Sequence, residues 1–203
     1  MTLDRPSKVV LSTRNPHKVD EIHAILTDLN ISLLSLASFP SAPDVIEDAD
    51  SLEGNAAKKS QELFVFTGLP TVADDTGLEV FSLNGAPGVH SARFAGPESK
   101  DAANRLRLLG ELASMDDRRA QFRTVIAFTT EKGTRLFEGV CKGHITFEER
   151  GEGGFGYDSL FVPNGFEKTF AEMESNQKNE ISHRARALQR FASYLTGLTT
   201  EAK

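Results

Sequence analysis

A single cysteine, Cys141, stands among the 203 residues, so no internal disulfide can form, which fits a reducing compartment. Positive charge is not in excess either. The 23 Lys and Arg face 29 Asp and Glu, a net charge of −6, which argues against a surface built to grip a nucleic acid backbone. That balance leaves room for a local basic pocket that takes a phosphorylated small molecule. No apolar run reaches membrane-spanning length, and the opening MTLDRPSKVVLS holds no signal-peptide core, so a cytoplasmic protein without a membrane partner is expected. Internal repeats, linkers and low-complexity segments are missing, as is the Walker pattern G-x-x-x-x-G-K-[ST], which excludes a P-loop. What remains is an ordinary globular balance, 39% apolar and 26% charged, enough for one domain over 1–203 with a real core. Cys141 follows Gly139-Val140 in a strand-like run and reads as a small buried hydrophobe rather than a nucleophile.

The chemistry is densest in TVADDTGLEVFSLNGAPGVHSARFAG, Thr71 to Gly96. Side chains on a strand alternate between faces, so Asp74 and Asp75 address one site only if the strand ends between them. Thr76-Gly77 predicts that break. A carboxylate at a strand end, beside a hydroxyl and a glycine, suits a Mg²⁺ ion or an oriented water. A pair of Asp in a turn can equally be solvated, and only the surroundings decide.

Lys8 to Ser12 predicts a short buried strand, and Val19, Ile22, Ile25, Leu26 and Leu29 then share one face of a helix. Between them lies Thr13-Arg14-Asn15-Pro16-His17-Lys18, with Asn15 suited to the N-cap and Pro16 to the first helical position. Such a loop offers free N–H groups and a helix dipole to phosphate, and Lys18 could reach it; a capped helix with exposed His17 and Lys18 accounts for the segment as well. Ile31 to Leu36 reads as a second strand. The acidic loop Glu47, Asp48, Asp50 leads into a helix to about Phe66, with Asp50 and Glu53 as a capping box and Leu52, Ala56, Leu63 and Phe66 inward. Asn55 and Lys59, four apart, share a face and form either a wall of an anion and metal site or an ordinary surface pair.

Glu98 to Ala113 predicts a helix with Ala103, Leu106, Leu109 and Leu112 or Ala113 inward. Gln121 to Thr130 alternates as a strand, followed by Leu136 to Cys141 and, after a turn at Lys142-Gly143, Ile145 to Glu148. These antiparallel neighbours predict a mixed sheet. RGEGGFGYD, Arg150 to Asp158, holds four glycines, and its Phe155 and Tyr157 pack either on a flat base or on the neighbouring core. A last helix from about Asn179 to Leu195 has Lys178, Ser182, His183 and Arg184 near its start, donors suited to carbonyl or phosphate oxygens.

Taken together, Ser12 to Lys18, the acidic loop before GNAAKK, ADDTGLEV, GAPGVHSARF, GGFGYD and KNEISHRARAL resemble the inosine/xanthosine triphosphate pyrophosphatase family in content and order, from about Lys8 to Leu195. The resemblance implies an α/β fold with an elongated mixed β-sheet flanked by helices, two lobes with a central cleft, and a homodimer. It implies Mg²⁺-dependent hydrolysis of deaminated purine nucleoside triphosphates to monophosphate and pyrophosphate. By the same resemblance Thr13, Arg14, Asn15, Pro16, His17 and Lys18 bind the triphosphate with Asn55 and Lys59. Glu47 and Asp75 hold the metal, Asp75 is also the general base, and Thr76 contacts substrate. Phe155, Gly156, Tyr157 and Asp158 line the nucleoside pocket, and Lys178, His183 and Arg184 read the base. This chain departs from the family pattern at Ser159, where proline commonly follows GYD, at His90, where an aromatic is common, and at Gly54, where an acidic residue often precedes NA.

The expected selectivity rests on donors: a 6-keto group accepts from Arg184 or His183, whereas adenine's amino group would oppose a donor, a mismatch of ~2–4 kcal/mol. Two rival readings are a pyrophosphatase of broader or modified-pyrimidine specificity and a nucleotide sensor without turnover.

Overall fold

A computed structural model describes residues 6–29 and 31–200; the opening five residues of the segment read for a leader lie outside that range. The elements in order are β1 (Lys8–Leu11), α1 (Pro16–Leu26), β2 (Ser32–Ser35), α2 (Leu52–Thr67), β3 (Thr71–Val80), β4 (Pro87–Gly88), α3 (Asp101–Glu111), β5 (Arg119–Thr130), β6 (Gly133–Ile145), β7 (Phe161–Pro163), α4 (Ser175–Ile181) and α5 (His183–Thr200). The sheet runs β2-β1-β3-β5-β6-β7, with β4 attached to β3. β1 pairs in parallel with β2 and β3, while β4 on β3 and β7 on β6 are antiparallel. The two residues between β5 and β6 leave room only for a hairpin. The fold is therefore α/β with a mixed sheet.

The chain forms two compact units. The first comprises the chain up to Asp75, Thr124–Gly139 and Arg184 onward. Its main core joins Val9, Leu11 and Val72 of the strands to Ile22 and Leu26 of α1 and to Leu188, Phe191 and Leu195 of α5. The second comprises Thr76–Arg123 and Val140–His183, and its core gathers Leu78, Leu108, Phe122, Cys141, Tyr157, Phe161 and Phe170. Cys141 is thus the buried hydrophobe expected of it.

Several boundaries differ from the sequence expectation, each for a physical reason. β3 does not stop at Asp74 but continues through Gly77 to Val80. A Cβ on Gly77 would lie 2.5 Å from the Gly88 carbonyl oxygen, so this glycine admits β4 rather than making a turn. The turn at Lys142-Gly143 is likewise absent. β6 is one strand of 13 residues, and a Cβ on Gly143 would collide with the Val162 carbonyl and the Phe161 ring of β7. The expected strand over Ile145 to Glu148 is not formed beyond Ile145. The N-cap of α2 is Ser51, not Asp50: its Oγ accepts from Gly54 N at 3.1 Å, which moves the helix start by one residue and leaves no capping box. Phe66 and Leu106 point outward at 45% and 73% exposure; in α3 the phase shifts so that Asn104 and Leu108 are buried. The last helix is two, broken at Ser182, whose extended ψ of 159° places Lys178 in the last turn of α4 and starts α5 at His183.

Candidate active site

The loop between β1 and α1 forms as its residue types dictate. Asn15 caps α1, its Oδ1 accepting from His17 N at 3.0 Å and Lys18 N at 3.4 Å, and Pro16 occupies the first turn. Thr13 Oγ1 accepts from Asn15 N at 3.2 Å and braces the entry. Arg14 turns to the acidic side, its Nε donating to Asp44 at 3.1 Å and its Nη2 to the Ala42 carbonyl at 3.2 Å. His17 remains exposed.

Because β3 continues through the Asp pair, alternation sends the two carboxylates to different surroundings. Asp75 accepts from Asn55 Nδ2 at 3.3 Å and Lys59 Nζ at 3.2 Å, and the same ammonium reaches Glu47 Oε1 at 3.0 Å. Carboxylates from two distant segments thus meet at one ammonium, that of Lys59. Asn55 is fully buried and its amide is spent within the protein: Oδ1 takes the Ala49 N–H of the acidic loop at 3.0 Å while Nδ2 serves Asp75. It joins that loop to β3 instead of facing a phosphate. A Cβ on Gly54 would sit 2.7 Å from the Ala49 methyl, which explains why no acidic side chain stands there.

Asp74 Oδ2 accepts from Lys18 Nζ at 3.0 Å and from Arg184 Nη2 and Nε at 3.2 and 3.3 Å. Arg184 Nη1 also pairs with Glu21. Arg184, 1% exposed, is therefore held by two carboxylates, and the expectation that it reads a purine 6-keto group finds no support in this geometry. Glu21 was not singled out in the sequence, although it lies three residues from Lys18 on α1 and so shares its face.

The electrostatics separate the two Asp. Burial would raise Asp74, but Lys18, Arg184 and Lys59 together hold it well below the usual carboxylate range. Burial pushes Asp75 up, and Lys59, opposed by Glu47, does not reverse it. Burial lowers Lys18, with Asp74 opposing; for Lys59 burial is outweighed by Asp75, Asp74 and Glu47, so its ammonium is stabilised.

The donor set fits the Mg²⁺ that the resemblance implies. Glu47 and Asp75 are hard oxygen ligands already converging on a cation, the Lys59 ammonium, which stands in for the metal's charge. Mg²⁺ takes one or two carboxylates and completes its shell with water and phosphate oxygens. Among the described residues no group of three or more His, Cys, Asp or Glu gathers that could hold a metal ion by itself.

The second unit carries the glycine loop. Asp158 Oδ2 accepts from Lys178 Nζ at 2.9 Å and from Phe155 N at 3.0 Å, and Gly154, at φ +73°, leaves space for that carboxylate. Lys178 Nζ stands 5.1 Å from the centroid of the half-buried Phe155 ring. Tyr157 packs in the core, with its hydroxyl donating to the Ser91 carbonyl at 2.9 Å. His183 stacks on Phe122 at 4.6 Å. Thr76 is half-buried beside Asp75 in β3. Asp101, Arg105 and Glu149, which bear on the loop, gave no signal in the sequence because polar residues on a helix face and in a turn are ordinary there.

A family model described as the Ham1 family matches residues 9–194. A dITP/XTP pyrophosphatase of Christiangramia forsetii is 47% identical over 93% of this chain and 99% of its own, and that of Porphyromonas gingivalis 46% over 93% and 97%. The Ham1 protein of Staphylococcus aureus superposes with a TM-score of 0.85 at 37% identity, covering 94% of this chain and 98% of its own. That of Coxiella burnetii gives 0.87 at 38%, with the same coverage. With the motifs in order and the fold in common, the chain belongs to the Ham1 family.

Proposed function

We propose that this chain hydrolyses deaminated purine nucleoside triphosphates, ITP or dITP and XTP or dXTP, to the monophosphate and pyrophosphate, with Mg²⁺ as cofactor. The observation that carries this is the Glu47–Lys59–Asp75 junction, two carboxylates on one ammonium at 3.0 and 3.2 Å, in a chain whose relatives are named dITP/XTP pyrophosphatases. Glu47 and Asp75 would hold the metal, which supplies charge neutralisation at the phosphates and a more acidic water. Asp75, held between Asn55 and Lys59, accepts the proton of the attacking water. The water oxygen bonds to the α-phosphorus, the α–β anhydride bond breaks, and pyrophosphate leaves with the electron pair. Lys18 and Lys59, with the backbone of Thr13 to Lys18, meet the phosphate charge.

The nucleoside is assigned to Phe155, Gly156 and Asp158 with Lys178 and His183. Arg184 acts instead through Asp74. A neutral or cationic donor from Lys178 or His183 toward a 6-keto oxygen favours hypoxanthine and xanthine over adenine. The rival of a sensor without turnover is disfavoured by the set of Asp75, Glu47 and Lys18, since a binder needs no water-activating carboxylate. Cytoplasmic residence and a homodimer complete the proposal; among the described residues no helix is long and apolar enough to cross a membrane. Incubation of the purified protein with Mg²⁺ and ITP or XTP should yield monophosphate and pyrophosphate in equal amounts. Release of orthophosphate without pyrophosphate would reject the bond assignment.

A further inference from the structure

The glycine loop is built from residues that resist ordering: Gly151, Gly154 and Gly156 all sit at positive φ. Yet the peptide of Gly156 is gripped from both sides by the start of α3. Its N–H donates to Asp101 Oδ2 at 2.7 Å, and its carbonyl accepts from Arg105 Nη1 at 3.0 Å. Asp101 and Arg105 are four residues apart and share one face of the helix. Arg105 Nε continues to Glu149 Oε2 at 2.8 Å, and that oxygen also accepts from Ser159 Oγ at 3.2 Å. The hydrogen bonds therefore run Asp101–Gly156–Arg105–Glu149–Ser159, closing on the residue just past the loop.

We propose that these four side chains form a polar strap that fixes the loop carrying Phe155 and Asp158, and that Asp101, Arg105, Glu149 and Ser159 are thereby positioning residues for nucleotide affinity. This rests on the assignment of the loop to the nucleoside. The strap acts on backbone, not on ligand. It orders the glycines before binding, so that the nucleotide does not bear that entropy cost. A proline at 159 would stiffen the same place by fixing φ, and in the first turn of the short 3-10 segment Asp158–Leu160 its missing N–H is tolerated. Ser159 holds that position by a hydrogen bond to Glu149 instead.

The test is Arg105→Ala in the full chain, followed by steady-state kinetics with ITP and by amide hydrogen exchange of residues 155–158. KM should rise about tenfold or more with kcat within about twofold, and exchange of the loop amides should quicken. Arg105→Lys, which keeps the charge but not the fork, should fall between. Adding Ser159→Pro to Arg105→Ala should bring KM back toward the wild-type value, a recovery that general destabilisation would not give. Unchanged loop exchange in Arg105→Ala overturns the strap, and quickened exchange with an unchanged KM overturns its role in affinity. If the wild-type protein turns over no ITP, the functional reading fails, while the exchange measurement still decides the strap by itself.

Discussion

Asp74 and Asp75 are neighbours of one residue type, both nearly buried, at 2% and 6% exposure, and they live in opposite conditions. Asp74 faces a closed ionic cluster in which three donors from Lys18 and Arg184 converge on one oxygen. Asp75 faces a neutral amide and an ammonium shared with Glu47. The first surroundings favour the charged carboxylate; in the second, burial works against it. Environments that drive two titratable groups apart mark a division of labour. On the proposed function, Asp74 would anchor the structure and Asp75 would serve the chemistry.

Breaking this contrast begins on the Asp74 side. Asp74→Ala removes the carboxylate that Lys18 and the buried Arg184 share and should cost ~3–5 kcal/mol of stability, on the order of 10 °C in melting temperature. Thermal denaturation checks this, and a melt matching wild type would remove the anchor role. Asp75→Asn should instead lower turnover ~100-fold or more while the melt stays close to wild type. Near-normal turnover would take the proton-accepting role away from it. Arg184→Ala sharpens the contrast: it should lose stability by ~3 kcal/mol or more yet leave the ratio of ITP to ATP turnover unchanged. A narrowed ratio would return Arg184 to the base. Smallest is Ser51→Ala, removing the cap of the helix that carries Asn55 and Lys59, expected to cost ~1 kcal/mol in urea denaturation.

The sequence made much of the architecture legible because periodicity and caps are local signals, whereas the pairing of Glu47 with Asp75 came only from the family resemblance. Asn15 and Pro16 sit where their chemistry sends them. Gly77 and Gly143 were misread for one reason: the lack of a side chain serves both a turn and the close approach of another strand, and only the partner, Gly88 or Val162, tells which. Donor type was readable at Arg184 but not its direction, since Glu21 and Asp74 are 163 and 110 residues away in the chain. In α3 the inward face expected at Leu106 is carried instead by Leu108, with Leu112 buried just past the helix. The contacts on Gly156 were invisible because they bind backbone, which every residue has.

Asn55 constrains any redesign of this site. One planar amide accepts from the acidic loop and donates to Asp75 in fixed directions, a pairing no charged or apolar side chain can reproduce. Conversion to aspartate would set like charges against each other, and leucine would strand the Ala49 N–H. A transplanted or lengthened acidic segment would therefore need to keep that amide, or find a new brace for Glu47.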